Sequence, residues 1–190
     1  IVNKFEGVLT GKGLDWGGLH GRTEATGYGI VYFAECMLKA HGEDFKGKKV
    51  AISGFGNVSW GTASKLEQLG AIPITISGPD GYILDEEGVL GEKIDYLLEL
   101  RASGKNICKP YADKFKSAKF IEGKKPWEVK ADMYIPCATQ NEILIDDAKA
   151  IVASGAKYVC EGSNMSSSNE AIEYMLNNGI ILGPSKAANA

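Results

Sequence analysis

One short stretch, residues 48–59, constrains the fold of this chain more than any other. Its apolar, β-branched run ends in Gly54-Phe55-Gly56 and passes directly into a helical pattern from Thr62 to Leu69. Strand, glycine turn and helix in this order present bare backbone N–H groups and the positive end of a helix, an arrangement that binds a dinucleotide pyrophosphate. Glycine-rich turns also close ordinary βα units, so a purely structural turn stays an alternative.

The glycines of this turn have separate tasks. Gly54 lets the chain turn tightly off the strand, and Gly56 removes a Cβ atom where phosphates must approach. Ser59 holds the third small position, which requires only close packing of the helix on the strand. The spacing therefore predicts a nucleotide site at this turn.

Apolar strands alternate with helical patterns along most of the chain, which predicts parallel strands joined by right-handed crossovers. We expect an α/β fold with a doubly wound, mostly parallel, Rossmann-like sheet in three layers. The predicted helices cover 25–41, 58–69, 90–103, 109–116, 141–153 and 168–178, and the predicted strands cover 48–53, 72–76, 133–135, 157–160 and 180–182.

The domain organisation follows from the same patterns. Residues 1–21 hold six glycines and show little periodicity, and the chain of 190 residues opens on Ile1 rather than Met. We expect residues 1–24 to be a leading segment from a substrate domain that is missing here, and residues 25–190 to be an NAD-binding Rossmann-like domain. The sequence would then be a piece of a longer protein.

Composition excludes several other classes of function. The chain is 44% hydrophobic and 24% charged with a net charge of −3, which is typical of a globular protein and argues against a nucleic-acid partner. It has no apolar run of membrane-spanning length, and we expect no signal peptide. Four scattered cysteines without a CxxC pair, and only two histidines, argue against a metal site and favour reduced thiols in the cytoplasm.

Ligands of open parallel sheets bind beyond the carboxyl ends of the strands. Asn141 and Ser163 follow two such ends, and they could contact a ligand or cap the next helices; for Asn141 we favour the cap. For Asn164 we favour ligand contact. The segments expected at this edge are 54–58, 78–80, 136–141, 161–164 and 183–186.

The residues at the end of the second predicted strand should contact the 2′ position of the cofactor ribose. The nearest acid is Asp80, which would accept a hydrogen bond from a 2′-OH and repel a 2′-phosphate. Residues 75–81 contain no Arg or Lys. These features favour NAD over NADP, although Asp80 could also be a plain turn residue.

Six sequence blocks resemble the hexameric glutamate dehydrogenases of the glutamate, leucine, phenylalanine and valine dehydrogenase superfamily, in particular their nucleotide-binding domain. They occur in the family's order and cover essentially the whole chain. The blocks are Gly21 to Gly29, Ser53 to Val58, Ser77 to Tyr82, Pro136 to Glu142, Glu161 to Met165 and Pro184 to Ala190.

The resemblance implies roles for residues within these blocks. Cofactor contacts are implied for the glycine turn, for the turn after the second strand and for the nicotinamide side, and two residues would face the substrate. The implied cofactor-binding residues are Thr26, Gly54, Phe55, Gly56, Asn57, Val58, Pro79, Asp80, Ala138, Thr139 and Asn164, and the substrate residues are Arg22 and Asn189.

The resemblance also implies the reaction of the parent protein. That protein would oxidise L-glutamate to 2-oxoglutarate and ammonium with hydride transfer to NAD, or alternatively NADP, as a cytoplasmic homohexamer. Its catalytic residues would lie in the preceding substrate domain, so we expect none in this chain and no activity from the chain alone. One alternative is the cofactor domain of a branched-chain or aromatic amino-acid dehydrogenase. Those enzymes usually carry an acidic residue at the end of the second strand, where this chain has Ser77-Gly78. The other alternative is a non-catalytic nucleotide-sensing module.

Overall fold

The computed structural model describes residues 24–189. In this range the chain forms a seven-stranded sheet in the order β4-β3-β2-β1-β5-β6-β7. The strands are β1 (Lys49–Ile52), β2 (Ile72–Gly78), β3 (Gly81–Asp85), β4 (Ala118–Glu122), β5 (Met133–Ile135), β6 (Tyr158–Cys160) and β7 (Ile181–Gly183). The helices are α1 (Ala25–Ala40), α2 (Asn57–Gln68), α3 (Glu92–Ala102), α4 (Lys109–Lys114), α5 (Ile145–Ala153), α6 (Asn169–Asn177) and α7 (Ser185–Ala188), with a 3₁₀ turn at Pro126–Glu128.

The strand order reverses at β1. β1 pairs in parallel with β2 on one side and with β5 on the other, and β6 and β7 continue the parallel series. A reversal of this kind opens a crevice at the carboxyl ends of the strands, which is where doubly wound sheets bind ligands. The predicted doubly wound, mostly parallel, Rossmann-like fold is confirmed.

Strand alternation divides the core into two layers. In β1, Val50 and Ile52 belong to one cluster of buried residues, and Ala51 between them belongs to the other. Successive side chains of a strand point to opposite faces, so each face of the sheet needs its own cover of helices. α1 and α2 supply apolar residues to the first cluster and α5 and α6 to the second, which gives the three expected layers.

Two strands and one helix have no counterpart in the sequence prediction. The turn at residues 78–81 is a hairpin that sends β3 back antiparallel to β2, and β4 then pairs antiparallel with β3. β4 is a half-exposed edge strand that carries Lys119 and Glu122, so its sequence shows no clean apolar alternation. α7 has only four residues, too few for a helical period to be visible.

α1 and α2 are in very close contact because of a glycine. A Cβ atom on Gly27 would lie 2.5 Å from the backbone nitrogen of Thr62 and 2.6 Å from the carbonyl oxygen of Val58. No side chain fits at such distances, so Gly27 lets α1 rest directly on the first turns of α2. The start of α2 is thereby fixed beside the glycine turn.

None of the helices within residues 24–189 is long and apolar enough to cross a membrane.

Candidate functional site

The glycine turn joins β1 to α2 in a conformation that needs glycine. Gly54 has φ +92°, and a Cβ atom on it would lie 2.8 Å from the carbonyl oxygen of Cys137. Gly56 precedes the first residue of α2, and no side chain caps this helix. A Cβ atom on Gly56 would meet nothing within 4 Å, so the N-terminus of α2 faces open space. An uncapped helix start beside such a space suits an anionic group.

A large pocket opens on one side of this turn. It has a volume of about 510 Å³ and lies at the carboxyl ends of β1, β2 and β5. It is lined by Ser53, Gly54, Phe55, Gly56, Ser77, Gly78, Pro79, Arg101, Asn106, Lys125, Pro126, Cys137, Ala138, Thr139 and Glu142.

A smaller pocket of about 340 Å³ lies on the other side. Cys137 and Ala138 line both pockets, so the two spaces adjoin at the end of β5. In the smaller one, the Asn189 amide donates to the Asn164 side-chain oxygen at 2.9 Å and to the Gly162 carbonyl at 3.3 Å. The lining residues are Thr26, Val58, Cys137, Ala138, Gly162, Ser163, Asn164 and Asn189.

The structure brings most of the predicted site residues to these two pockets. The larger contains Gly54, Phe55, Gly56, Pro79, Ala138 and Thr139, and the smaller contains Thr26, Val58, Ala138, Asn164 and Asn189. Asn57 is exposed at the start of α2 and lines neither. Arg22 lies outside the described residues. The roles of all these residues stay predictions.

Asp80 binds the protein itself. Its carboxylate accepts hydrogen bonds from the backbone N–H groups of Cys108, at 2.9 Å, and Lys109, at 3.0 Å. The side chain therefore fastens the turn after β2 to the start of α4, and it lines neither pocket. A contact with the ribose 2′-OH stays a prediction, and the carboxylate already has two protein donors.

The larger pocket is also lined by two cationic side chains, Arg101 and Lys125, that are not among the predicted site residues. Arg101, at the end of α3, donates to the Phe55 carbonyl and, at 3.4 Å, to the Asn106 side chain. Lys125 donates to the Glu142 carbonyl at 2.6 Å. Residues 75–81 do lack basic side chains, but the fold supplies these two from distant segments. No local spacing signals this, because it depends on how α3 and the 3₁₀ turn pack.

Glu142 is a buried carboxylate beside both pockets. It accepts hydrogen bonds from the Ser53 hydroxyl at 2.6 Å, the Ala138 N–H at 3.0 Å and the Ser163 hydroxyl at 3.2 Å. Burial raises the pKa of Glu142 above its ordinary value, and the hydrogen bonds from Ser53, Ala138 and Ser163 oppose that rise. In the sequence, Glu142 stands out only as the last residue of the family-like block Pro136 to Glu142. A glutamate directly before an apolar pair, Ile143-Leu144, was the available signal.

A second buried carboxylate, Glu161, holds the C-terminal helix. It accepts from the backbone N–H groups of Ser167 at 2.8 Å and Ser185 at 3.1 Å. Ser185 is the first residue of α7, and Asn189 follows that helix directly. Glu161 therefore fixes the segment that brings Asn189 to the smaller pocket.

The proposed helix caps at Asn141 and Ser163 are wrong. α5 begins only at Ile145, and α6 begins after Ser168, whose hydroxyl accepts from Ala171 N–H at 3.3 Å. Asn141 instead has φ +52°, and its N–H donates to the carbonyl of Met165, which has φ +49°. The loops after β5 and β6 are thus bonded to each other, which offsets the strain of two left-handed residues.

Three of the four cysteine thiols, those of Cys108, Cys137 and Cys160, are buried. Burial raises the pKa of the Cys137 thiol, and it raises the pKa of Cys160 to about 12, so both stay protonated at neutral pH. All four cysteines are free. Residues 24–189 contain no cluster of three or more His, Cys, Asp or Glu side chains that could hold a metal ion.

Comparison with known proteins gives consistent relatives. The chain is 54% identical over 190 residues to a protein of Bacteroides fragilis named NAD-specific glutamate dehydrogenase, and it spans 43% of that protein. It is 44% identical over 190 residues to a protein of Haemophilus influenzae named NADP-specific glutamate dehydrogenase, of which it spans 42%. The chain thus spans less than half of each relative.

Solved structures agree with the sequences. The crystal structure of Plasmodium falciparum glutamate dehydrogenase matches 100% of this chain, and 40% of its own length, with a TM-score of 0.92 and 40% identity. Residues 17–190 match the family described as Glutamate/Leucine/Phenylalanine/Valine dehydrogenase. The chain therefore belongs to the glutamate, leucine, phenylalanine and valine dehydrogenase family.

Proposed function

We propose that this chain is the cofactor-binding part of a glutamate dehydrogenase. The observation that carries the proposal is the pair of pockets on either side of the glycine turn, which adjoin at Cys137 and Ala138. A dinucleotide has two nucleosides joined by a pyrophosphate, and it would span both pockets with the pyrophosphate at the uncapped start of α2. The names of the relatives support glutamate as the substrate.

The residues present fit each part of the cofactor. The larger pocket, with Phe55 and Pro79, would hold the adenosine, and the smaller pocket, with Thr26 and Asn164, would hold the nicotinamide half. NAD is the proposed cofactor, with NADP as the alternative. Arg101 and Lys125 put positive charge in the adenosine pocket, which would attract a 2′-phosphate, and relatives carry NAD-specific and NADP-specific names.

The proposed role of this chain in the reaction is to bind and orient. When bound, the nicotinamide would accept hydride from L-glutamate, giving an imino acid that water converts to 2-oxoglutarate and ammonium. Asn189, held by Asn164, would present a polar group to the substrate side of the smaller pocket. Proton transfer would need residues outside this chain, so we propose that the chain alone is inactive.

The organisation of the whole protein belongs to the same proposal. Residues 25–190 would form the NAD-binding domain, and residues 1–24, with Arg22, would lead from the substrate domain. Closure of the two domains would exclude water from the hydride step. Assembly as a homohexamer and a cytoplasmic location stay predictions.

A titration with NADH, and separately with NADPH, tests the proposal. Nicotinamide fluorescence should report binding, and Gly56→Val should weaken it about tenfold or more because the new side chain fills the phosphate space. Gly56 has extended backbone and an open surrounding, so this variant should fold normally. Gly155→Asn, at a remote open position with φ +81°, is the matched control. Failure of the unaltered chain to bind either nucleotide, or glutamate oxidation by the chain alone, would contradict the proposal.

The alternatives predict different results. A cofactor domain from a leucine or phenylalanine enzyme would bind NADH equally well, so a substrate panel on the full-length protein must separate these activities. A nucleotide-sensing module would bind NADH but lack oxidation of any amino acid in the full-length protein.

A further inference from the structure

Glu142 connects the carboxyl ends of three neighbouring strands. Its carboxylate accepts from Ser53 after β1, from Ala138 after β5 and from Ser163 after β6. Its backbone carbonyl accepts from Lys125 at 2.6 Å and from the Trp127 indole at 3.3 Å. One residue therefore joins the glycine turn, the two loops of the smaller pocket and the 3₁₀ turn. Glu142 is 7% exposed, so water contributes little to these bonds.

The bonds are unequally important for the two pockets. The glycine turn has other anchors, because Gly54 N–H donates to Ser77 at 2.8 Å and the Ser59 hydroxyl donates to the Ser53 carbonyl at 2.9 Å. Ala138 N–H has Glu142 as its partner among the described residues. Loss of the carboxylate would thus release the Ala138 loop while the glycine turn kept its shape.

We propose that Glu142 is a positioning residue that holds Ala138 and the Ser163-Asn164 segment for the nicotinamide half of the cofactor. This inference rests on the proposed function. Glu142 lines the larger pocket next to Ala138, which both pockets share, and its carboxylate acts on the smaller pocket through the backbone and hydroxyl groups that it holds. Its removal should disturb nicotinamide binding more than binding of the adenosine diphosphate part.

A merely structural role would give a different pattern, and Asp85 supplies the comparison. Asp85 is fully buried and accepts from Lys93 and Tyr111, both at 2.7 Å, and from Ser117 at 3.1 Å. None of these four residues lines either pocket. Asp85→Asn should therefore destabilise the chain without changing the relative affinities for the two nucleotides.

Two replacements of Glu142 remove different numbers of its hydrogen bonds. Glu142→Ala removes all three acceptor interactions. Glu142→Gln keeps one acceptor oxygen for Ala138 and Ser163, while its amide can donate to Ser53, which already accepts from Cys137 N–H at 2.9 Å. In the glutamine variant the Ser53 hydroxyl therefore loses its acceptor, while the other two bonds remain. This variant should keep part of the function, and it tests the proposal even if the alanine variant folds poorly.

The experiment measures the affinities of the four proteins for NADH and for ADP at a temperature where all are folded. We expect Glu142→Ala to weaken NADH about tenfold and to lose the fluorescence enhancement of the bound nicotinamide, with ADP affinity within about twofold. Glu142→Gln should fall between the alanine variant and the unaltered chain. Asp85→Asn should keep the original ratio of the two affinities.

Each other outcome is decisive. Equal weakening of NADH and ADP by Glu142→Ala, or unchanged binding of both, would overturn the positioning role while the proposed function stood. An unaltered chain that binds neither nucleotide would overturn the proposed function, and this inference with it.

Discussion

Each carboxylate oxygen of Asp80 lies 2.9 Å from the backbone nitrogen of Cys108. The Asp80 side chain, which the sequence predicts to contact the cofactor ribose, therefore holds the turn after β2 to the start of α4. The same contact fixes one end of the segment from Arg101 to Cys108, which carries Arg101 and Asn106 to the larger pocket.

Replacing Asp80 by alanine should lower the free energy of unfolding by about 1–3 kcal/mol, because the N–H of buried Cys108 would lose its acceptor. Urea denaturation measures this change. Asp146→Ala is the control, since the partner of Asp146 among the described residues is exposed Lys149, and the change in stability should be less than about 0.5 kcal/mol. Equal stabilities of the two variants would argue that Asp80 is no anchor.

Gly27→Ala should destabilise the chain by about 1–3 kcal/mol, because the added methyl group would collide with the backbone of α2 at Thr62. Thermal unfolding followed by circular dichroism measures the effect. Gly56→Ala adds the same methyl group in open space with extended backbone, and it should leave stability nearly unchanged. If both variants melt together, the close helix contact is not a requirement of the fold.

Asp85→Asn should lower the free energy of unfolding by about 2–4 kcal/mol, since Lys93 would lose its buried counter-charge while most of its side chain stays covered. Chemical denaturation gives the value. The exposed pair of Lys124 and Glu128 offers a contrast, because Glu128→Gln should have almost no effect. A small change for Asp85→Asn would mean that water readily reaches Lys93 in the folded chain.

Glu43 should make stability fall in acid. Its hydrogen bond with Lys48, followed by that with Tyr158, lowers the pKa of Glu43 from 4.5 to about 2. A carboxyl whose pKa is lower in the folded chain stabilises it above pH 4.5, and that contribution disappears as the pH falls from 4.5 toward 2. Glu43→Gln should therefore flatten the acid limb of a stability profile measured with urea. An unchanged acid limb would show that the contact with Lys48 is too solvent-screened to matter.

The parallel part of the fold could be predicted because its strands are mainly apolar and mostly buried. Met133–Ile135 is predicted to the residue, and α1 differs from its prediction only at its last position. Such runs depend on burial alone, which the sequence records directly. β3 escaped prediction because it follows β2 after a turn of only two residues, and β4 escaped prediction because a half-exposed edge strand needs no strict apolar alternation.

The candidate site was predicted where it depends on backbone and missed where it depends on packing. The turn at Gly54 needs a positive φ angle, so glycine marks it in the sequence. Arg101, Lys125 and Glu142 reach the larger pocket through contacts between distant segments, and no local pattern encodes those. Asn141 looked like a helix cap, yet it adopts a left-handed conformation that the bond to Met165 makes favourable.

Thr26 and Asn189 both line the smaller pocket, although almost the whole described sequence separates them. Contacts between segments so far apart in sequence carry a large loop-closure entropy, so they form after local structure during folding. On the ribosome, α1, β1 and α2 can assemble early, whereas the smaller pocket must wait until α7 has left the exit tunnel. A nascent chain would therefore acquire its larger pocket before its smaller one.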